Sequence, residues 1–141
     1  MTIPPVRLTL TILAGRFCVC RLPADAGIPV WVPRAGWVSI TRTAAELSIV
    51  CAEDAVPGNV PAERPYRLLE VEGPLDFALT GIILSVARPL AAAGIAIFVV
   101  STFDTDYLLV RVEALSTAIA ALQAAGHVCR RPPGHDEQDI C

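Results

Sequence analysis

Tyr66-Arg67-Leu68-Leu69-Glu70-Val71-Glu72, halted by Gly73-Pro74, opens the stretch that decides the fold. It predicts a strand ended by two breaker residues. Over residues 79–93 the apolar side chains Leu79, Ile82, Ile83, Val86, Leu90 and Ala93 recur at helical spacing. Thr80 is the expected N-cap and Gly94 the expected C′ residue. Pro89 removes a backbone donor inside that helix, so a bend is expected there. Residues 95–101 are apolar and rich in β-branched side chains; the polar turn 102–106 and a strand over 107–112 follow. A second helix over 114–125 carries Leu115, Ile119 and Leu122 on one face and stops at Gly126, and residues 127–130 add a short strand. Strand, helix, strand, strand, helix, strand is the order of the ferredoxin-like unit. The fold class is therefore α+β, with two helices on one face of an antiparallel sheet.

Working outward, the first half reads as β-rich. Residues 8–13 alternate apolar and hydroxyl side chains at period two, and residues 17–22, 37–43 and 47–52 are further strand candidates. Pro23, Gly27, Pro29 and Pro33 predict a loop between the second and third of these. Pro57, Gly58, Pro61 and Pro65 predict a surface connector between the halves. The expected organisation is a β-rich half over 1–65, a βαββαβ domain over 66–130 and a frayed tail over 131–141.

Composition excludes several functions. Hydrophobic residues make up 54% and charged residues 18% of the 141, enough apolar material for a packed interior. The net charge is −3 and the basic residues are scattered arginines, which argues against nucleic acid. The apolar run 82–100 is broken by Ser85, Arg88, Pro89 and Gly94, so no membrane span is expected. The first five residues lack the pattern of a secretion signal, and the expected location is cytoplasmic. Five cysteines at irregular spacing (Cys18, Cys20, Cys51, Cys129, Cys141) are no disulfide framework, and with no matching Cys/His repeat no metal or cofactor is expected. Cys18 and Cys20 read as small buried hydrophobes on one sheet face. Gly73, Gly81 and Gly94 lie too far apart for a phosphate loop, and His127 and His135 have no evident nucleophile beside them. Trp31 and Trp37 read as core or lid residues, and the chain is not expected to be an enzyme.

The segment Val71-Glu72-Gly73-Pro74-Leu75-Asp76-Phe77-Ala78-Leu79-Thr80-Gly81-Ile82, with Ala93-Gly94-Ile95 and Ser101-Thr102-Phe103-Asp104-Thr105-Asp106-Tyr107, resembles small bacterial ACT-domain proteins. These are similar in turn to the CASTOR-type cytosolic arginine sensors of animals. Phe17–Leu22 and the stretches 38–43 and 46–51 look like the N-terminal ACT-like half of the same family, and the likeness covers roughly residues 6–130. It implies two ACT-like halves, amino-acid binding, and homo-oligomers formed by ACT sheets side by side. ACT domains commonly regulate a fused enzyme; none is expected here, so the resemblance implies either a separate effector protein, of unknown identity, or a copy that has lost the sensing role.

An amino acid brings a carboxylate, an ammonium and a side chain. The expected ligand site answers the first with the helix start Leu79, Thr80, Gly81 and Ile82, where unpaired amides suit an anion. Ser101, Thr102, Phe103, Asp104 and Asp106 supply the rest: Asp104 or Asp106 for the ammonium, Phe103 for an aliphatic stem. The alternative stands beside it. Thr80 caps a helix, Gly81 serves packing, and Asp104-Thr105-Asp106 is ordinary turn chemistry. The chain is then a ligand-free interaction or dimerisation module.

Overall fold

The computed structural model describes residues 6–76 and 80–132. The strands are β1 (Thr9–Ile12), β2 (Phe17–Leu22), β3 (Ser39–Arg42), β4 (Leu47–Ala52), β5 (Ala62–Val71), β6 (Phe98–Ser101), β7 (Asp106–Arg111) and β8 (Val128–Arg130). The helices are α1 (Ile82–Ala92) and α2 (Leu115–Ala124). Two compact units result: one runs from Gly15 to Tyr66, the other joins the residues up to Ala14 with those from Arg67 onward.

The helix-bearing unit has the strand order β8-β1-β5-β7-β6. β1 lies antiparallel to β5, pairing Leu10 with Val71, and parallel to β8, pairing Leu10 with Cys129. The division thus differs from the expected one at its start: the N-terminal strand belongs with the residues after 66. Period-two alternation explains its fit. Leu8, Leu10 and Ile12 fall on one face and join Leu69, Val71, Leu108 and Val110 of the neighbouring strands. Ile82, Val86 and Leu90 of α1 and Leu115, Ala118 and Leu122 of α2 close the same core. Each such side chain fully buried stabilises by roughly 1.5–3 kcal/mol.

Both helices end alike. Gly94 and Gly126 take left-handed conformations (φ 74° and 98°), as a helix-stopping glycine does. The Ile95 amide donates to the Leu90 carbonyl at 2.9 Å, and the His127 amide to the Leu122 carbonyl at 3.0 Å, satisfying carbonyls the helices leave open. Their beginnings differ from expectation. Thr80 is not the cap of α1; Gly81 holds that position at φ 80°, and no side chain caps the helix. A turn through positive φ at this point suits glycine alone.

His127 is a structural residue. It is buried, its Nδ1 accepts the Leu8 amide at 3.1 Å, and its Nε2 donates to the Ser85 carbonyl at 2.9 Å. Both ring nitrogens are engaged, which fixes the tautomer and ties β1, α1 and the start of β8 together.

The unit from Gly15 to Tyr66 contains no α-helix. Its strands run β3-β4-β2-β5, all antiparallel. Cys18, Cys20, Leu47, Ile49, Cys51 and Val56 form its core, with Trp31 and Val32 packed against it, and Trp37 meets Phe17 edge to face at 6.2 Å. The expected connector over 57–65 is shorter than its prolines suggest, because β5 begins at Ala62. Pro65 is tolerated in the strand because the β2–β5 register slips between Phe17 and Val19, and a proline without an amide fits such an irregularity.

Candidate functional site

Gly73 starts the construction of the site. A Cβ there would stand 3.0 Å from the Thr105 Cβ and 3.1 Å from the Asp104 carbonyl oxygen, so any other residue would push the chain leaving β5 and the β6–β7 hairpin apart by a few tenths of an ångström. Two bonds hold the crossing. The Leu75 amide donates to the Asp104 carbonyl at 2.8 Å, and the buried Thr105 hydroxyl donates to the Val71 carbonyl at 2.6 Å.

The hairpin tip is rigid on its own account. The Thr102 amide donates to the Thr105 carbonyl at 2.8 Å, the Thr102 hydroxyl reaches the same oxygen at 3.0 Å, and the Thr105 amide returns to the Thr102 hydroxyl at 3.3 Å. These are the side-chain-to-backbone bonds expected of turn residues. With Thr102 and Thr105 spent inward, Asp104 lies exposed, Phe103 is 82% exposed, and Asp106 is half-buried.

Opposite the hairpin stands the start of α1. The first intrahelical bond runs from the Ser85 amide to the Gly81 carbonyl at 2.9 Å. The amides of Ile82, Ile83 and Leu84 precede it; a helix gives such amides no internal acceptor, and Gly81 at the N-cap has no side chain to supply one. Together the helix start and the hairpin bound a cavity of about 460 Å³ lined by Leu75, Asp76, Gly81, Ile82, Ile83, Leu84 and the six residues 101–106. The lining holds three carboxylates, Asp76, Asp104 and Asp106, and no basic side chain. It combines an acceptor-hungry helix end with an acidic rim, a pairing able to hold a molecule bearing both charges.

Of the residues singled out from sequence, Gly81, Ile82, Ser101, Thr102, Phe103, Asp104 and Asp106 line this cavity. Thr80 is exposed and does not line it, and Leu79 lies outside the described residues. Sequence reasoning missed Leu75, Asp76, Ile83, Leu84 and Thr105. The signal for the first two was Gly73-Pro74, a break that sends the chain across the sheet end; Ile83 and Leu84 complete the first turn after Gly81. Among the described residues no three His, Cys, Asp or Glu side chains gather to hold a metal ion, and no helix is long and apolar enough to cross a membrane.

The ACT-domain family model matches residues 62–124, and a model described as an N-terminal domain matches residues 15–59. A crystal structure of an Agrobacterium tumefaciens protein is 45% identical, covers 94% of this chain and 98% of its own, and superposes with a TM-score of 0.85. The human cytosolic arginine sensor for mTORC1 subunit 1 is 39% identical over 59 residues, which are 41% of this chain and 18% of the sensor, so the match spans under a fifth of that relative's length. The regulatory subunit of aspartate kinase from Thermus flavus shares the fold, with a TM-score of 0.55 at 10% identity over 85% of this chain and 97% of that one. The chain belongs to the same family as the Agrobacterium tumefaciens protein, and its residues 62–124 match the ACT domain.

Proposed function

We propose that this chain is a regulatory protein rather than an enzyme, that it binds a free amino acid between the start of α1 and the β6–β7 hairpin, and that it signals through an effector protein or through self-association. The single observation that supports the reading is the shared cavity: uncapped helix amides on one side, Asp76, Asp104 and Asp106 on the other. In this reading the ligand carboxylate takes the amides of Ile82, Ile83 and Leu84, with Gly81 allowing close approach. Asp104 or Asp106 receives the α-ammonium, Ser101 and Thr102 border the hairpin side, and Phe103 covers the stem. The other of Asp104 and Asp106 then remains with no basic neighbour in the lining, which favours a cationic side chain. The human relative's name as an arginine sensor agrees with that preference. The setting is the cytoplasm, where the free thiols of Cys18, Cys20, Cys51 and Cys129 stay reduced.

A thermal-shift panel of the twenty amino acids tests the proposal. A ligand at one hundred times its Kd stabilises by about 2.7 kcal/mol, a rise of roughly 5–10 °C for a chain this size. Arginine and lysine are expected to lead, and Asp104→Asn to weaken them about tenfold or more, as loss of a charge-assisted bond does. A panel flat at millimolar concentration defeats the reading.

The exposed Phe98 and Val99 on β6, which among the described residues pairs with β7 alone, favour the second reading, an interaction or dimerisation module without a ligand. Sizing at several concentrations separates the two: a dimer together with a flat panel selects the module.

A further inference from the structure

Three thiols meet in the core of the helix-free unit, and the amino-acid site makes no use of them. Cys18 and Cys51 face each other in the β2–β4 register, and Cys20, two residues along β2, falls on the same face. The Cys18 and Cys20 sulfurs are 3.4 Å apart, and Cys20 is hydrogen-bonded to Cys51. All three side chains are at most 1% exposed. Their roof is the stretch 23–38, which has no strand or helix and contributes Trp31 and Val32 to the packing. The Arg42 guanidinium holds that roof down through the carbonyls of Ala24 and Ala26.

We propose that Cys18, Cys20 and Cys51 form an oxidisable thiol cluster in which hydrogen peroxide joins Cys51 to Cys18 across the β2–β4 pair. Directly opposed residues on antiparallel strands have Cα separations of about 5.5 Å or less, inside the range a disulfide spans. Cys18 and Cys20 lie on one strand, and their Cα atoms stand about 6.6 Å apart by strand geometry, close to the upper limit.

The environment divides the labour between the sulfurs. The bond from Cys20 draws the Cys51 thiol below its ordinary value, while burial pushes Cys18 up to about 12 and the bond with Cys51, together with burial, pushes Cys20 up. Cys51 is thus the more acidic of the three sulfurs and Cys18 a thiol held against it. In the first step the Cys51 thiolate takes one oxygen from the peroxide, forming a sulfenic acid and releasing hydroxide, which the proton lost by Cys51 turns into water. In the second the Cys18 sulfur displaces the sulfenic hydroxyl, and its own proton leaves with that group as a second water. Two thiols have lost two electrons, and peroxide has accepted them. Entry of a water-sized oxidant requires only local opening of the roof, which the Arg42 contacts resist.

The test uses the full chain carrying Cys129→Ala and Cys141→Ala, so that only the cluster can react. The protein is treated with limiting hydrogen peroxide, denatured, alkylated with iodoacetamide and mapped by mass spectrometry. The expected result is loss of two of three alkylatable thiols, a crosslinked peptide pair carrying Cys18 and Cys51, and full reversal by dithiothreitol. Arg42→Ala is expected to speed the reaction several-fold, and Cys18→Ala to leave a Cys51 sulfenic acid that dimedone traps. Three thiols still alkylatable at peroxide levels that oxidise free glutathione, or a disulfide between other partners or between two chains, overturns the proposal. The double variant alone decides the matter if Cys18→Ala does not fold.

Discussion

The two units of this chain handle polar atoms in opposite ways. In the helix-bearing unit, carboxylates and uncapped amides line an open cavity at the start of α1. In the helix-free unit, Cys18, Cys20 and Cys51 are shut into the core beside Leu47 and Ile49. The difference follows from secondary structure. An antiparallel ladder consumes its own amides and carbonyls, whereas a helix start leaves amides unspent. The unit with helices therefore has a place to receive an anion, and the unit without them offers only side-chain chemistry.

The largest expected effect probes each core separately. Leu90→Ala in α1 and Ile49→Ala in β4 each empty a site with no solvent exposure and are expected to lose about 2–5 kcal/mol by denaturant unfolding. An amino-acid ligand is expected to recover stability in the Leu90→Ala protein; equal recovery in a transition belonging to the other unit would erase the contrast drawn above.

Next comes His127→Phe. It leaves the Leu8 amide and the Ser85 carbonyl buried without their present partner, at about 1–3 kcal/mol for each group. A loss under 1 kcal/mol in urea unfolding would show that the imidazole merely fills space.

Gly73→Ala follows, at about 1–3 kcal/mol, because a Cβ 3.0 Å from another Cβ and 3.1 Å from a carbonyl oxygen has no flexible end to push aside. The same change shifts the hairpin tip, so ligand stabilisation is expected to fall more than apo stability does.

A separate expectation concerns pH. Burial raises the Cys18 thiol from 9.0 to about 12, so the fold prefers it neutral while the unfolded chain ionises it near 9. Stability is therefore present below pH 9 and lost progressively toward 12, and Cys18→Val is expected to flatten that decline in alkaline melting curves. Cys51, shifted the other way, opposes part of it.

Legibility from sequence followed the range of the signal. Phe17–Leu22 and Leu47–Ala52 were readable to the residue because a strand's period and its bounding breakers are local. The N-cap of α1 was misplaced by one residue, at Thr80: the apolar pattern continues back to Leu79, but the left-handed turn at Gly81 decides where the helix begins. The prolines of 57–65 read as a connector because the register slip that admits Pro65 is a property of β2 and β5 together. The hairpin half of the cavity was legible in its residue types, while Leu75 and Asp76 were not, since they enter it through a backbone bond to Asp104 formed only after folding. Least legible was the position of β1 beside β8, a parallel pairing of segments at opposite ends of the chain.

That pairing has a consequence for how the protein is made. Thr9–Ile12 leaves the ribosome well before Val128–Arg130, so its second edge stays uncovered until those later residues follow. The helix-free unit, continuous from Gly15 to Tyr66, has everything it needs much earlier. Since folding during synthesis proceeds from the N-terminus, the nascent chain completes its helix-free unit while the sheet of the other unit still lacks a strand. A fragment cut to residues 62–124 lacks both β1 and β8, and the bare flank of β5 it exposes invites aggregation.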